Sequence, residues 1–235
     1  EDVFRLTEAG EALYGVVPVE NSTEGGVNTT LDLLLDTSLV VSNEVELKIA
    51  HCLLAQQGAS PPAQIAAHQQ ALAQCREWLA THFPGVPLVA KASNADAARS
   101  AGADKTTYAV ASATTAPLYN LEIKERNIED NPGNTTRFLV LSTEPVGRSG
   151  RDKTSLVMSN TNQPGALYQQ LAPLADAGIS MTRIESRPMR AGLWKYVFFV
   201  DIEGHIEDSS VKAAVEAIQK ESNFFKVLGS YPRGL

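Results

Sequence analysis

Three polar segments of this 235-residue chain carry side chains whose types and spacing could bind or process a small anion. The first is Glu20-Asn21-Ser22-Thr23, which follows an apolar run of strand length at 14–19 (YGVVPV). Polar groups just past the carboxyl end of a strand stand where open α/β sheets bind their ligands. Gly25 and Gly26 would let the loop turn tightly, so that backbone N–H groups face an anion. An ordinary polar strand-to-helix loop would read the same way. The second segment is His68-Gln69-Gln70 with Gln74, at the start of a helix. Gln70 and Gln74 are four apart and share a face, and a helix N-terminus attracts anions through its free N–H groups. On pattern alone, a solvated helix start is the better account. The third is Asn134-Thr135-Thr136-Arg137-Phe138. Strand alternation puts Thr136 and Phe138 on one face and Thr135 and Arg137 on the other. Thr136 and Arg137 therefore cannot enter one cleft together unless the strand begins after them. A polar strand edge would also account for these residues.

Other chemistries are not indicated. His51, His68, His82 and His205 are scattered and show no His-Glu-x-x-His spacing, so no metal site is expected. Neither a G-x-G-x-x-G nor a P-loop pattern occurs, and a nucleotide cofactor is not implied. No G-x-S-x-G elbow is present. Cys52 and Cys75 have neither metal spacing nor a disulfide framework and read as small core residues in a reducing cytoplasm. Hydrophobic residues make up 43%, enough for a packed core. With 20 Lys+Arg against 27 Asp+Glu, the net charge of −7 argues against nucleic-acid binding, which needs a cationic surface. A local cationic pocket for a small anion remains compatible with it. Apolar runs are short and broken, so no membrane span is expected. The acidic start (Glu1, Asp2, Val3, Phe4, Arg5) lacks a signal-peptide pattern, and no initiator Met is present.

The elements that must position these groups fall into two blocks. The chain opens as if inside an amphipathic helix, with Val3, Phe4, Leu6, Ala9, Ala12 and Leu13 as its apolar positions. After the strand at 14–19 and a loop at 20–28, residues 29–35 read as a helix with threonine as N-cap. Strands are expected at 39–41, 45–54, 64–66, 108–113 and 136–141, and a helix at 69–82 with Leu72, Cys75 and Leu79 on one face, ended by Pro84-Gly85. Strands alternating with helices predict an α/β domain with a largely parallel sheet. Residues 142–152 (STEPVGRSGRD) read as a linker. Beyond it the order is strand 154–159, helix 164–177 closed by Gly178, strands 179–187 and 195–202 joined by a hairpin around 189–192, helix 211–220 and strand 224–231. Pro173 predicts a kink or a shorter first helix. The βαββαβ order is a ferredoxin-like unit, which exposes one face of its four-stranded sheet and commonly pairs edge to edge.

Taken together, these segments resemble the prephenate dehydratase family. Gly15–Asn21 with Gly25 (GVVPVENSTEG), Ile128, Glu129 and Asp130, and Asn134 through Phe138 (NTTRF) are similar to its catalytic domain. Gly165 through Tyr168 (GALY), Glu185 through Pro188 (ESRP), Tyr196 through Asp201 (YVFFVD) and Leu228 through Pro232 (LGSYP) are similar to its regulatory ACT domain. The match runs over essentially the whole chain in the right order. It is most like the dehydratase half of bifunctional chorismate mutase–prephenate dehydratases.

The resemblance implies a two-lobed catalytic domain like a type 2 periplasmic binding protein at 1–144, a linker at 145–152 and an ACT domain at 153–235. It implies loss of CO2 and the ring hydroxyl from prephenate to give phenylpyruvate in phenylalanine synthesis, with no metal or organic cofactor. Aromatisation supplies the driving force, so the protein need only assist the hydroxyl's departure. Thr136 maps to the family's catalytic threonine and would donate the proton, which requires a hydrogen-bond network and a dry cleft. Asn21, Ser22, Thr23, Gln70, Gln74, Arg137 and Phe138 would bind substrate, although an orienting ion pair suits Arg137 as well as carboxylate binding does. Ala67 and Gln69 replace the serine and proline of the family's Ser-His-Pro-Gln segment, which removes a hydroxyl contact. The family's opening strand and Gly-Pro-x-Gly-Thr-Phe-Ser loop find no match before Tyr14, so the expectation is a chain truncated in its first lobe and weakly active alone. The full-length product could also carry a chorismate mutase domain.

Feedback by L-phenylalanine is implied by the ACT resemblance, with Asn160, Gly165, Ala166, Leu167, Glu185, Ser186, Arg187 and Pro188 as its site. The Gly165 loop opens a helix whose N–H groups suit a carboxylate, and glycine permits close approach. Residues 185–188 would close the site from a neighbouring subunit of a homodimer or homotetramer. Two rivals remain at this point: a non-catalytic amino-acid-sensing module, which the absent N-terminal segment and Ala67 favour, and an arogenate dehydratase, whose substrate is the amino analogue.

Overall fold

A computed structural model describes residues 1–161, 163–188 and 196–234. The hairpin expected around 189–192, and the start of the strand expected at 195, lie outside the described residues. The chain forms two compact units, one of Glu1–Leu47 with Thr136–Leu235 and the other of Lys48–Thr135. The division between these two units falls within the first block, at 47/48 and at 135/136.

In the first unit, α1 (Asp2–Glu8) leads to β1 (Gly15–Asn21), β2 (Gly25–Gly26), α2 (Asn28–Asp36) and β3 (Val40–Lys48). The opening helix is shorter than its apolar pattern predicts. It stops before Gly10, whose φ of 72° ends it, and leaves Leu13 exposed. The loop expected at 20–28 is largely strand and turn. The cap of α2 is Val27, without a side-chain bond, rather than a threonine. Residues 39–54, expected as two strands, regroup as β3 and a later strand at 52–55. Ser42 and Asn43 do not break β3, because Glu44 between its ends is buried and fully bonded. The chain returns to this unit as β9 (Thr135–Ser142), completing a sheet of order β2-β1-β9-β3.

The ferredoxin-like order follows as expected, with β10 (Asp152–Ser159), α7 (Ala166–Asp176), β11 (Met181–Pro188), β12 (Tyr196–Glu203), α8 (Ser209–Lys220) and β13 (Phe224–Pro232), the sheet running β11-β12-β10-β13. Helix α7 continues through Pro173. One face of this sheet packs under α7 and α8 through Leu156, Met158, Leu174, Val200, Ile202, Val211 and Ile218. The other face is not exposed, as the isolated motif would leave it. Val157, Val197, Phe199, Leu228 and Tyr231 share one core with Val17, Val19, Leu31, Leu34, Val41 and Leu139. Gly229 of β13 passes so close to Val41 of β3 that a Cβ would meet Val41 backbone nitrogen and carbonyl carbon at 2.9 and 3.0 Å.

The second unit holds β4 (Cys52–Ala55), β5 (Gln64–His68), α3 (Gln69–Gln74), α4 (Arg76–His82), β6 (Leu88–Lys91), α5 (Asn94–Ala103), β7 (Thr107–Ala111), α6 (Thr115–Leu118) and β8 (Glu122–Arg126). Its sheet order is β6-β5-β7-β4-β8. The helix expected at 69–82 is broken at Cys75, whose φ of −117° and ψ of 16° leave the α region. The largely parallel sheet is also corrected. β5 pairs in parallel with β6 and β7, because helical crossovers join them. β4 runs antiparallel to β7 and β8, and β1 runs antiparallel to β2 and β9.

Candidate active site

Asn21 of β1 and Thr136 of β9 face each other in register. Asn21 closes the turn after its own strand, as asparagine side chains do by bonding backbone two residues on. Its Oδ1 accepts the backbone N–H of Thr23 at 2.9 Å and of Glu24 at 3.2 Å. That fixes which end of the amide is oxygen. The Nδ2 then donates to Thr136 Oγ1 at 2.8 Å. An amide nitrogen can only donate, so the threonine oxygen is the acceptor in this bond and its own proton is left to be given elsewhere. Thr136 is 8% exposed, which keeps bulk water largely away from a hydroxyl that is a poor acid in water. Ser22 and Thr23 lie exposed in the turn, and Phe138 is half-buried opposite Pro18.

Arg137 turns to the opposite face of β9, as alternation requires. Its Nε lies 2.7 Å from Glu44 Oε2, its Nη1 2.6 Å from Asp201 Oδ2 and its Nη2 donates to Tyr231 Oη at 2.9 Å. Lys153 Nζ adds bonds of 2.7 and 2.9 Å to the Glu44 carboxylate, and the Gly234 N–H another of 2.9 Å. Ser155 bridges Asp201 Oδ1 and Tyr231 Oη at 2.5 and 2.6 Å. Burial pushes Glu44 up, but Arg137 and Lys153 outweigh it and hold the carboxyl below its ordinary range. Burial likewise opposes the Arg137 charge, yet Asp201, Tyr231 and Glu44 raise its pKa. Burial, then Asp201, pushes the Tyr231 phenol up. Of the two roles expected for Arg137, the ion pair is the one these bonds show, with its nitrogens on Glu44, Asp201 and Tyr231. Glu44 and Lys153 had no sequence signal, and Asp201 and Tyr231 stood in the sequence only as the ends of motifs similar to the ACT domain, with no sign that they would meet Arg137. Each sits in a strand, and only the fold brings them to one point.

In the second unit, Gln74 is half-buried with its Oε1 2.8 Å from His51 Nε2. Gln70 is exposed, and its backbone N–H donates to His68 Nδ1 at 3.3 Å. The backbone N–H of His51 donates to Glu129 Oε2 at 2.8 Å. Sequence considered His51 only as a metal ligand, and among the described residues no group of three or more His, Cys, Asp or Glu is placed to hold a metal. Cys75 is fully buried, and burial, with Asp130 adding, pushes its thiol up to about 12, so it is no nucleophile. Among the described residues no helix is long and apolar enough to cross a membrane.

The residues expected around an amino-acid effector divide. Gly165 caps α7 at a φ of 81°, a conformation that favours glycine, with open space where a side chain would stand. Ala166 and Leu167 follow half-buried in the first turn. Asn160 Nδ2 donates to Gln170 Oε1 at 3.3 Å. On β11, Ser186 and Pro188 are exposed, while the Glu185 and Arg187 side chains are engaged within this chain, Glu185 by Arg183 and Arg187 by Asn28 and Asp32.

The family model "Prephenate dehydratase" matches residues 1–146, and the model "ACT domain" matches 154–219. A bifunctional chorismate mutase/prephenate dehydratase from Pseudomonas aeruginosa is 46% identical over 100% of this chain, which spans 65% of that relative's length. A solved prephenate dehydratase from Arthrobacter aurescens, in complex with L-Phe, superposes with a TM-score of 0.86 at 34% identity, covering 97% of this chain and 78% of that one. A structure described as a quorum-quenching acylase, GqqA, superposes with a TM-score of 0.85 at 34% identity, covering 98% of this chain and 85% of that one. Proteins of unlike described activity thus share this fold, and the reaction has to be argued from side chains.

Proposed function

The chain belongs to the prephenate dehydratase family and carries an ACT domain, and from that premise we propose that it converts prephenate to phenylpyruvate under feedback control by L-phenylalanine. The observation that carries this is the direction of the Asn21–Thr136 hydrogen bond, which leaves the threonine proton free for a leaving group. As the C–COO⁻ bond breaks, its electron pair enters the ring and the ring C–O bond departs. Thr136 protonates the departing oxygen, so the products are phenylpyruvate, CO2 and water, and solvent restores the threonine proton. A positioned general acid contributes about 10²–10⁴-fold. Asn21, Ser22, Thr23 and Phe138 would hold the substrate.

Residues 1–144 would form the catalytic domain, 145–152 the connection and 153–235 the sensor of L-phenylalanine, with Asn160, Gly165, Ala166 and Leu167 and the strand at 185–188 around it. A homodimer or homotetramer in the cytoplasm, and a chorismate mutase domain in the full-length product, belong to the same proposal. The test is single-turnover conversion of prephenate by wild type and Thr136→Ala, with arogenate run alongside. Thr136→Ala should slow the step about 10²-fold or more, and Thr136→Ser should retain part of it. Equal rates for wild type and Thr136→Ala would overturn the assignment.

A further inference from the structure

Arg183, Glu185 and Arg187 alternate along β11 and are half-buried, while Ile184 and Ser186 between them are exposed. Their cross-strand partners on β12 are Asp201, Phe199 and Val197, on the face turned toward β1, β3 and β9. All three side chains land on one stretch, residues 20–32. Arg183 Nε is 3.0 Å from Glu20 Oε2, and another of its nitrogens bonds Glu185. The Glu185 carboxylate lies over Gly26 so closely that any Cβ there would collide with it. Arg187 bonds Asn28, and its Nη2 reaches Asp32 at 2.7 Å. Asn21 lies between these anchor points, paired with Gly25 on one side and Thr136 on the other.

Glu20 is the sensitive member. Its carboxylate belongs to the residue before Asn21 and shares the Arg137 face of the sheet, and an unpaired negative charge so near would still disfavour a dianionic substrate. Arg137 comes only to 3.8 Å and already serves Glu44 and Asp201. Arg183, with its side chain only 10% exposed, is the cation that holds Glu20 aside. We infer that Arg183 is a positioning residue for the substrate loop, fixing Asn21 through Glu20 and tying the loop to the strand whose other residues serve the effector site. This rests on the proposed dehydratase roles of Asn21 and Thr136.

In the full protein, Arg183→Met should raise KM for prephenate about tenfold with much less change in kcat. The effect should grow at low ionic strength, where screening is weakest. Adding Glu20→Gln should restore KM, Arg183→Lys should keep most of it, and inhibition by L-phenylalanine should weaken in Arg183→Met. An unchanged KM, or a loss that Glu20→Gln fails to rescue, overturns the inference. Amide exchange read by mass spectrometry gives a second measure that needs no turnover: Arg183→Met should speed exchange over 20–27 and leave β12 unchanged. Unaltered exchange at 20–27 overturns the positioning role. If wild type fails to convert prephenate, the dehydratase roles fall, and the exchange result still decides the role of Arg183.

Discussion

Asn21 donates its side-chain amide to Thr136 Oγ1 while its carbonyl oxygen is held by the N–H groups of Thr23 and Glu24. The direction of the threonine hydrogen bond is thus set by the backbone of a turn. Asn21→Asp keeps the turn, because one carboxylate oxygen replaces the amide oxygen. The other oxygen can only accept, so it takes the Thr136 proton and adds a negative charge. We expect kcat to fall by about 10² or more while the melting temperature stays near wild type. Steady-state kinetics with thermal melts checks this, and a retained kcat would mean that the bond's direction is irrelevant.

Arg137→Met should destabilise by about 3–5 kcal/mol in urea unfolding, because it leaves Asp201 buried without its cation. Adding Asp201→Asn removes the stranded charge while Glu44 keeps Lys153, and should recover part of the loss. A double variant as unstable as the single one would rule out the stranded charge as the cause.

The same cluster contributes to the acid limit of stability. The Glu44 carboxyl titrates below its ordinary value of 4.5 in the folded chain, so it contributes stability that is fully present above 4.5 and is lost as pH falls through the folded value. Cys75 behaves in the opposite sense. Its folded pKa is raised to about 12, so its contribution is complete below 9.0 and is lost as pH climbs from there toward about 12. Urea unfolding across pH should show Glu44→Gln flattening the acid limb and Cys75→Ala flattening the alkaline one.

Gly229→Ala forces a methyl against the backbone of Val41, which cannot move aside as a flexible side chain could. A cost of about 1–3 kcal/mol is expected, read as a lowered urea midpoint at unchanged slope.

Much of the ferredoxin-like unit is legible in sequence, because β12 (YVFFVDIE) holds a long apolar run and the helices have one-sided leucine and valine patterns. Alternation alone separates Thr136 from Arg137 correctly. Helix α5 escapes because alanines at 95, 97, 98 and 101 give little contrast between faces, although Ser93 followed by Asp96 is a cap signal and Ser93 Oγ does accept the Asp96 N–H at 3.0 Å. β8 escapes because four of its five residues are charged. The regrouping of 39–54 depends on Glu44, a charge inside a strand that becomes tolerable only when Arg137 and Lys153 arrive from 93 and 109 residues away. The buried second face of the ferredoxin-like sheet is equally silent in local pattern, since it is decided by what the other strands bring to it.

Arg137 and Lys153 balance Glu44 and Asp201, two cations against two anions in one enclosed cluster. Such a set cannot drift one member at a time, since every intermediate would carry a naked charge. Kindred chains should therefore either keep all four or have exchanged them as matched couples. A lineage that holds three of the four should show a new counter-charge nearby, or a marked loss of thermal tolerance.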